Sequence, residues 1–261
     1  MITSLQNPAI RNIVKLSKSK ERREQHLFVI EGARELSLAL QSGYRVESVY
    51  VCRELFDKTK YPGVLDALPD TALFDISPAV FGKIAYRENS DGIVALAIPK
   101  SHRPDDLRLS DNPFVILLET VEKPGNLGAV LRTADAAAVD AVIICDPQTD
   151  LYNPNVIRSG VGGLFTVQTA VCTSEEALAW LQQHQINIYA AELQAADFYQ
   201  DIDFRPPSAI VMGTEADGLT RFWLEHATRR IKIPMRGRID SLNVSVSTAV
   251  ITFEAMRQRG F

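Results

Sequence analysis

Apolar positions along this chain follow two rhythms, and the rhythms alternate. Asn7 to Ser17 is amphipathic at helical spacing, with Ile10, Ile13, Val14 and Leu16 on one side. Leu27 to Ile30 is a short strand, Gly32 to Gln41 a helix, and Val46 to Val51 a strand. Ser77 to Lys83 reads as a helix opened by Ser-Pro, and Val94 to Ile98 as a further strand. Around Pro99-Lys-Ser-His-Arg-Pro-Asp-Asp106 the periodicity lapses, which marks 101–112 as a linker after a small α/β domain over 1–100. The pattern resumes at Phe114 to Leu118, a continuous apolar run expected of a strand covered on both faces. A helix over Leu127 to Ala138, a buried strand over Ala141 to Cys145 and a helix over Ser174 to His184 follow. Short strands are expected at Ile188 to Ala191, Ala209 to Met212 and Ile231 to Ile233, then a closing helix over Val244 to Arg259. Such alternation predicts a mostly parallel sheet with helices on both faces over 113–261. In sheets of that kind ligands sit beyond the carboxyl ends of the strands.

Composition narrows the class. The 261 residues are 46% hydrophobic and 23% charged, enough to bury a sizeable core. No apolar run approaches the roughly 20 residues that span a bilayer, and the first residues lack a basic start followed by an apolar stretch. Cys52, Cys145 and Cys172 are odd in number and far apart. That spacing suits neither a zinc site nor a disulfide framework, and a reducing, cytoplasmic setting is expected. The four histidines are scattered, so no metal is expected.

Net charge is −4, which alone does not favour a nucleic-acid partner. Local charge changes the picture. Arg11, Lys15, Lys18, Lys20, Arg22 and Arg23 face only Glu21 within residues 11–23, and Arg229, Arg230, Lys232, Arg236 and Arg238 include no acid between them. Each cluster could be a solvated face; together they suit a phosphate-bearing partner.

Three segments, each just past an expected strand, could carry chemistry. Ile231-Lys-Ile-Pro-Met-Arg-Gly-Arg-Ile-Asp-Ser-Leu-Asn-Val-Ser245 is a strand, a glycine turn and a helix start crowded with Ser241, Asn243 and Ser245. Helix starts leave N–H groups unpaired, and Ile233, Met235 and Leu242 add an apolar wall. Glu119-Thr-Val-Glu-Lys-Pro-Gly-Asn126 predicts a turn capped by Asn126, with Arg132 six residues on. An arginine on so apolar a helix should pair with something, and a structural salt bridge is the plain alternative to a functional role. Gly213-Thr-Glu-Ala-Asp-Gly218 directly follows an expected strand, where a glycine lets a ligand approach the backbone. Gly160-Val-Gly-Gly163 lacks the third glycine and the preceding strand of a dinucleotide site.

Taken in order, Asn126-Leu-Gly-Ala-Val-Leu-Arg-Thr-Ala-Asp135, Met212-Gly-Thr-Glu-Ala-Asp-Gly-Leu219 and Ile233 to Ser247 resemble the SpoU (TrmH-like) family of RNA 2′-O-ribose methyltransferases. Phe28-Val-Ile-Glu-Gly32 is similar to the substrate-binding domain that accompanies many members. The resemblance implies an α/β fold whose C-terminal domain is a SPOUT-type trefoil-knotted, mostly parallel sheet, preceded by a small α/β RNA-binding domain. It implies S-adenosylmethionine as methyl donor and a homodimer with the site near the subunit interface. It assigns Arg132, Asn126, Glu215, Ser241 and Asn243 to catalysis, and Gly213, Ile233, Met235 and Leu242 to the cofactor. RNA contacts would come from Arg11, Lys15, Arg22, Arg23, Phe28, Glu31 and Arg236. A guanidinium is very hard to deprotonate, so binding a phosphate and stabilising charge on the oxygen suits Arg132 better than acting as a base. Ribosomal RNA is expected over transfer RNA. A non-catalytic RNA-binding or ribosome-assembly factor on the same fold is the rival of a different class, and a nucleotide-linked oxidoreductase a more distant one.

Overall fold

A computed structural model describes residues 1–68, 72–87, 90–214, 217–239 and 241–260. In chain order the elements begin with α1 (Pro8–Lys15), α2 (Ser19–Gln25), β1 (Phe28–Glu31), α3 (Ala33–Gln41), β2 (Val46–Val51), β3 (Ala72–Asp75), α4 (Pro78–Ile84) and β4 (Ile93–Ala97). They continue with β5 (Phe114–Glu119), α5 (Pro124–Ala136), β6 (Ala141–Cys145), α6 (Pro154–Ser159), α7 (Gly163–Thr166), β7 (Thr169–Cys172) and α8 (Ser174–Gln183). The last are β8 (Asn187–Ala191), β9 (Asp197–Phe198), β10 (Ser208–Met212), α9 (Arg221–His226), β11 (Arg229–Lys232) and α10 (Val244–Arg259). Contacts group them into two compact units, residues 1–100 with 150–166, and residues 101–149 with 167–261.

In the first unit the sheet order is β1-β4-β2-β3, antiparallel except for the β2–β3 pair. Asn7 starts α1 by accepting from the Ala9 amide at 2.9 Å, with Pro8 at the first helical position, where its missing N–H costs nothing. The stripe Ile10, Ile13 and Leu16 then packs on Tyr50, Ile76, Val80 and Phe81. Residues 150–166 join this unit, although the periodicity places them with the C-terminal sheet. Two contacts explain it. Arg22, 3% exposed, pairs with Asp150 at 2.6 Å, and its Nη1 donates to the Leu16 and Ser17 carbonyls. Gly162, at φ +85°, lies so close to Leu38 that a Cβ would fall 2.7 Å from its Cδ1. Gly162 thus serves packing. Arg22→Leu should lower the unfolding free energy by about 3–5 kcal/mol, because it strands the part-buried Asp150. Urea titration of the full chain measures it, and an unchanged midpoint would remove the structural role.

The second unit is a seven-stranded sheet of order β7-β6-β5-β10-β8-β11-β9, parallel throughout. Every residue of β5, β6 and β10 is buried, as the unbroken apolar runs require. Val115 and Leu117 pack with Trp180 and Leu181 of α8 and with Trp223 of α9. Phe114, of the other parity, lies under Arg259 of α10, and α10 packs against α5 and β10. Thr173 and Glu176 start α8 with a reciprocal capping box. A parallel sheet sends all its strands out at one edge. The described parts of the loops after β5, β8, β10 and β11 therefore gather there, at 120–123, 192–196, 213–214 with 217–220, and 233–239 with 241–243. Among the described residues no helix is long and apolar enough to cross a membrane.

Candidate functional site

At that edge the chain leaves β10 through Gly213. A Cβ on this residue would overlap the backbone of Gly218 and Leu219. The glycine is therefore demanded by the turn itself. Thr214 and Gly218 exchange backbone hydrogen bonds at 3.0 and 3.1 Å, and the Asp217 amide donates to Thr214 Oγ1 at 3.0 Å. Below them Glu119, buried at the end of β5, accepts from the Thr220 amide at 2.8 Å and from its hydroxyl at 2.6 Å. A buried carboxylate with two donors holds the start of α9 and the far end of the turn. Glu215 lies outside the described residues.

A cavity of about 390 Å³ opens between the 213–219 turn, the end of β8, the exit from β11 and the start of α10. Gly213, Ile233, Met235, Ser241 and Leu242 all line it. Of the residues that line it, Met235, Ser241 and Leu242 have backbone amides that donate to no protein acceptor among the described residues. Met235 is 36% exposed, Leu242 39% and Ile239 72%. A wall of open amides beside uncovered apolar side chains suits a ligand that is polar at one end and apolar at the other. A second cavity, of about 150 Å³, shares Gly213, Thr214 and Val244 with the first and reaches Lys123 and Asn126.

Asn126 does not cap its helix. α5 begins at Pro124, two residues earlier, with Lys123 in the cap position. Asn126 Oδ1 instead accepts from Asn243 Nδ2 at 3.2 Å. Asn243 caps α10, its Oδ1 accepting from the Ser245 amide at 3.0 Å and hydroxyl at 2.6 Å. The two asparagines tie the starts of α5 and α10 together. Arg132 stands apart from them. The apolar helix suggests an ion-paired arginine, yet the Arg132 side chain is exposed, makes no hydrogen bond or ion pair among the described residues, and lines neither cavity. Only one stripe of α5 is buried, Leu127, Val130, Leu131 and Ala134, so the arginine can face solvent at no cost.

The residues expected at RNA divide. Arg11, Lys15, Arg23 and Arg236 are exposed. Arg22 is corrected to a structural cation by its pairing with Asp150. Phe28 is fully buried, its ring 4.2 Å from that of Tyr152, with Tyr44 and Phe165 beside it, so it cannot meet a base. The Glu31 carboxylate is occupied by the backbone amides of Tyr86 and Arg87 at 2.7 and 3.1 Å. Burial and a hydrogen bond to Tyr44 push the Tyr152 hydroxyl far above its ordinary range, which keeps that cluster neutral. Cys145 is likewise no nucleophile: a hydrogen bond with Cys172, then burial, holds its thiol protonated.

Sequence reading missed Glu192, Leu193 and Gln194, which line the larger cavity from beyond β8, and Ser247 and Ile251 on α10. Position past a strand end was the one available signal for the first three.

Comparison with known proteins places this geometry. Residues 113–253 match the model of the SpoU rRNA Methylase family, and residues 7–95 match that of the MRM3-like substrate binding domain. The chain is 29% identical to the 23S rRNA (guanosine(2553)-2′-O)-methyltransferase RlmP of Bacillus subtilis (strain 168), covering 97% of each. A crystal structure of an RNA 2′-O ribose methyltransferase superposes with a TM-score of 0.86 at 40% identity, covering 100% of this chain and 99% of the other. The AdoMet-bound rRNA methyltransferase from Sinorhizobium meliloti superposes with a TM-score of 0.90 at 27% identity, covering 98% and 97%.

Proposed function

Because this chain belongs to the SpoU rRNA methylase family, an S-adenosylmethionine-dependent family of RNA 2′-O-methyltransferases, we propose that it methylates a ribose 2′-hydroxyl in ribosomal RNA at the edge where the 213–219 turn meets the start of α10. The observation that carries the placement is the cavity there, with open amides on one wall and uncovered Met235, Ile239 and Leu242 beside it. S-adenosylmethionine fits those walls: its adenine offers apolar faces, its amino-acid end seeks hydrogen bonds, and its charges suit a cavity lined by Glu192 and Asp217. Ile233, Met235 and Leu242 would hold it by apolar packing, and the backbone of Gly213, Met235, Ser241 and Leu242 by hydrogen bonds. When bound, the cofactor supplies an activated methyl on a sulfonium.

The chain's own groups then have to place the ribose and manage charge. Asn126 lines the smaller cavity and is joined to Asn243, and the pair would orient a ribose hydroxyl there. Arg132 binds the adjacent phosphate and stabilises charge growing on the 2′-oxygen. Ser241, and Glu215 outside the described residues, complete the set as expected from the family motifs. Arg236 meets the RNA backbone. The division of the sequence at 1–100, 101–112 and 113–261, with 150–166 packing on the first unit, and the trefoil threading of the segment between β10 and α10 belong to the same proposal.

We also assign a homodimer. Val246, Val250 and Phe253 follow one another at i, i+4 and i+7 on α10, with Val246 47% and Phe253 41% exposed. A helix apolar on this side as well as on its core side asks for a cover, and a second copy of α10 provides one. Arg132, which lines neither of these two cavities, would reach the ribose across that interface. Light scattering should give twice the chain mass, and Phe253→Glu should halve it.

The decisive assay follows tritium from labelled S-adenosylmethionine into ribosomal RNA stripped of protein, read as alkali-resistant dinucleotides. Label in those dinucleotides supports the assignment. Cofactor binding with no transfer would leave the assembly-factor reading instead.

A further inference from the structure

A third cavity, which catalysis does not use, lies in the first unit, between α1, β1, α4 and α6. It holds about 140 Å³. Its apolar floor is Val29, Ile84 and Ile157, and Val14, 39% exposed, stands at its rim. Tyr86 stands at its rim, 47% exposed, with the Arg158 guanidinium 5.4 Å above the ring and the Tyr86 hydroxyl accepting from Asn155 Nδ2 at 2.9 Å. Lys83 also lines the rim.

The wall is held in place. Glu31 takes the amides of Tyr86 and Arg87, and the Arg87 side chain pairs with buried Glu35 at 2.5 Å. Glu31 is the one acid lining the cavity, and its carboxylate is committed to those amides. The cations at the mouth are uncompensated: Lys83 and Arg158 are exposed and form no ion pair among the described residues. Arg11, one turn before Val14 on α1, adds a third exposed cation on the same row.

We propose that this cavity receives an unpaired base of the RNA substrate, with Tyr86 and the Arg158 guanidinium as stacking partners and Lys83 on the flanking phosphates. The proposal rests on the RNA methyltransferase reading and names where the first unit grips its substrate. Bases splayed from loops and bulges stack on aromatic rings and on arginine planes, while cations track the backbone. An apolar slot with a ring, a guanidinium and uncompensated positive charge at its mouth is that combination. Arg158 belongs to the stretch that chain order assigns elsewhere, which is why the basic cluster of α1 and α2 alone could not reveal the slot.

The test uses the full chain and fluorescence anisotropy with two probes: a mixed-sequence single-stranded decaribonucleotide, and an abasic strand of the same length. The ordinary strand should bind about five- to a hundredfold tighter, the range for one stacked base. Val14→Trp fills the slot from its exposed rim without changing charge, and should abolish that preference. Arg158→Ala should weaken the ordinary strand more than the abasic one. Lys83→Gln should weaken both alike. Affinity for S-adenosylmethionine, by calorimetry, should stay within twofold throughout. Equal binding of the two strands by the unmodified protein, or an unchanged preference in Val14→Trp, overturns the proposal. Normal methyl transfer without base preference discards the pocket alone; base preference without any methyl transfer discards the enzymatic reading alone.

Discussion

Arg132→Ala should lower kcat for methyl transfer by about 10²–10³-fold while leaving the melting temperature and the cofactor affinity in place. The asymmetry follows from where the side chain sits. Arg132 is exposed on α5, pairs with nothing among the described residues and lines neither cavity, so its removal breaks no packing and strands no partner. Alanine is also the best helix former, which keeps α5 intact. In the proposed role, what disappears is a charge that stabilises an oxygen anionic only during reaction, and such a loss appears in kcat more than in binding. Arg132→Lys should recover little, because a point charge cannot reproduce a planar two-pronged donor. Steady-state kinetics on ribosomal RNA, set beside calorimetry with S-adenosylmethionine, separates these quantities. Wild-type turnover in the alanine variant would remove Arg132 from the chemistry; a matching loss of stability would make it structural.

The same residue shows what a chain reveals before it is folded. The strands at Phe114, Ala141 and Ala209 were legible because a parallel sheet buries both faces, and unbroken apolar runs allow little else. Three loops meeting at one edge followed from that sheet. β3 was not legible: all four of its residues are exposed, so burial left no pattern in it. Neither was the transfer of 150–166 to the first unit, which depends on Arg22 meeting Asp150 across 128 positions. Side-chain roles failed where one residue type serves two ends. Arg22 and Arg23 are neighbours in one basic run; one is buried under two carbonyls and an aspartate, the other is in solvent. Phe28 was expected among the RNA contacts and is a core ring. Asn126 looked like a helix cap, yet the cap position falls at Lys123 and the amide is directed to Asn243.

The turn at 213–219 should be the most sensitive point for cofactor binding. Gly213→Ala should weaken S-adenosylmethionine by about 100-fold, roughly 3 kcal/mol, with a much smaller change in melting temperature. The new methyl would coincide with the backbone of Gly218 and Leu219, and backbone cannot rotate away as a side chain can. Relief requires opening the turn, which gives up the paired Thr214–Gly218 hydrogen bonds and moves the wall that both cavities share. The core beneath is spared. Ile210, Val211 and Met212 stay buried between β5 and β8, and Glu119 still holds Thr220 from below. Leu242→Ala makes the contrast. It removes apolar surface from a part-exposed position without moving backbone, so its cost should be about tenfold. The order of the two effects separates a pocket shaped by backbone from one held by side chains. Cofactor affinity indifferent to Gly213→Ala would mean that the methyl donor binds elsewhere on the sheet edge.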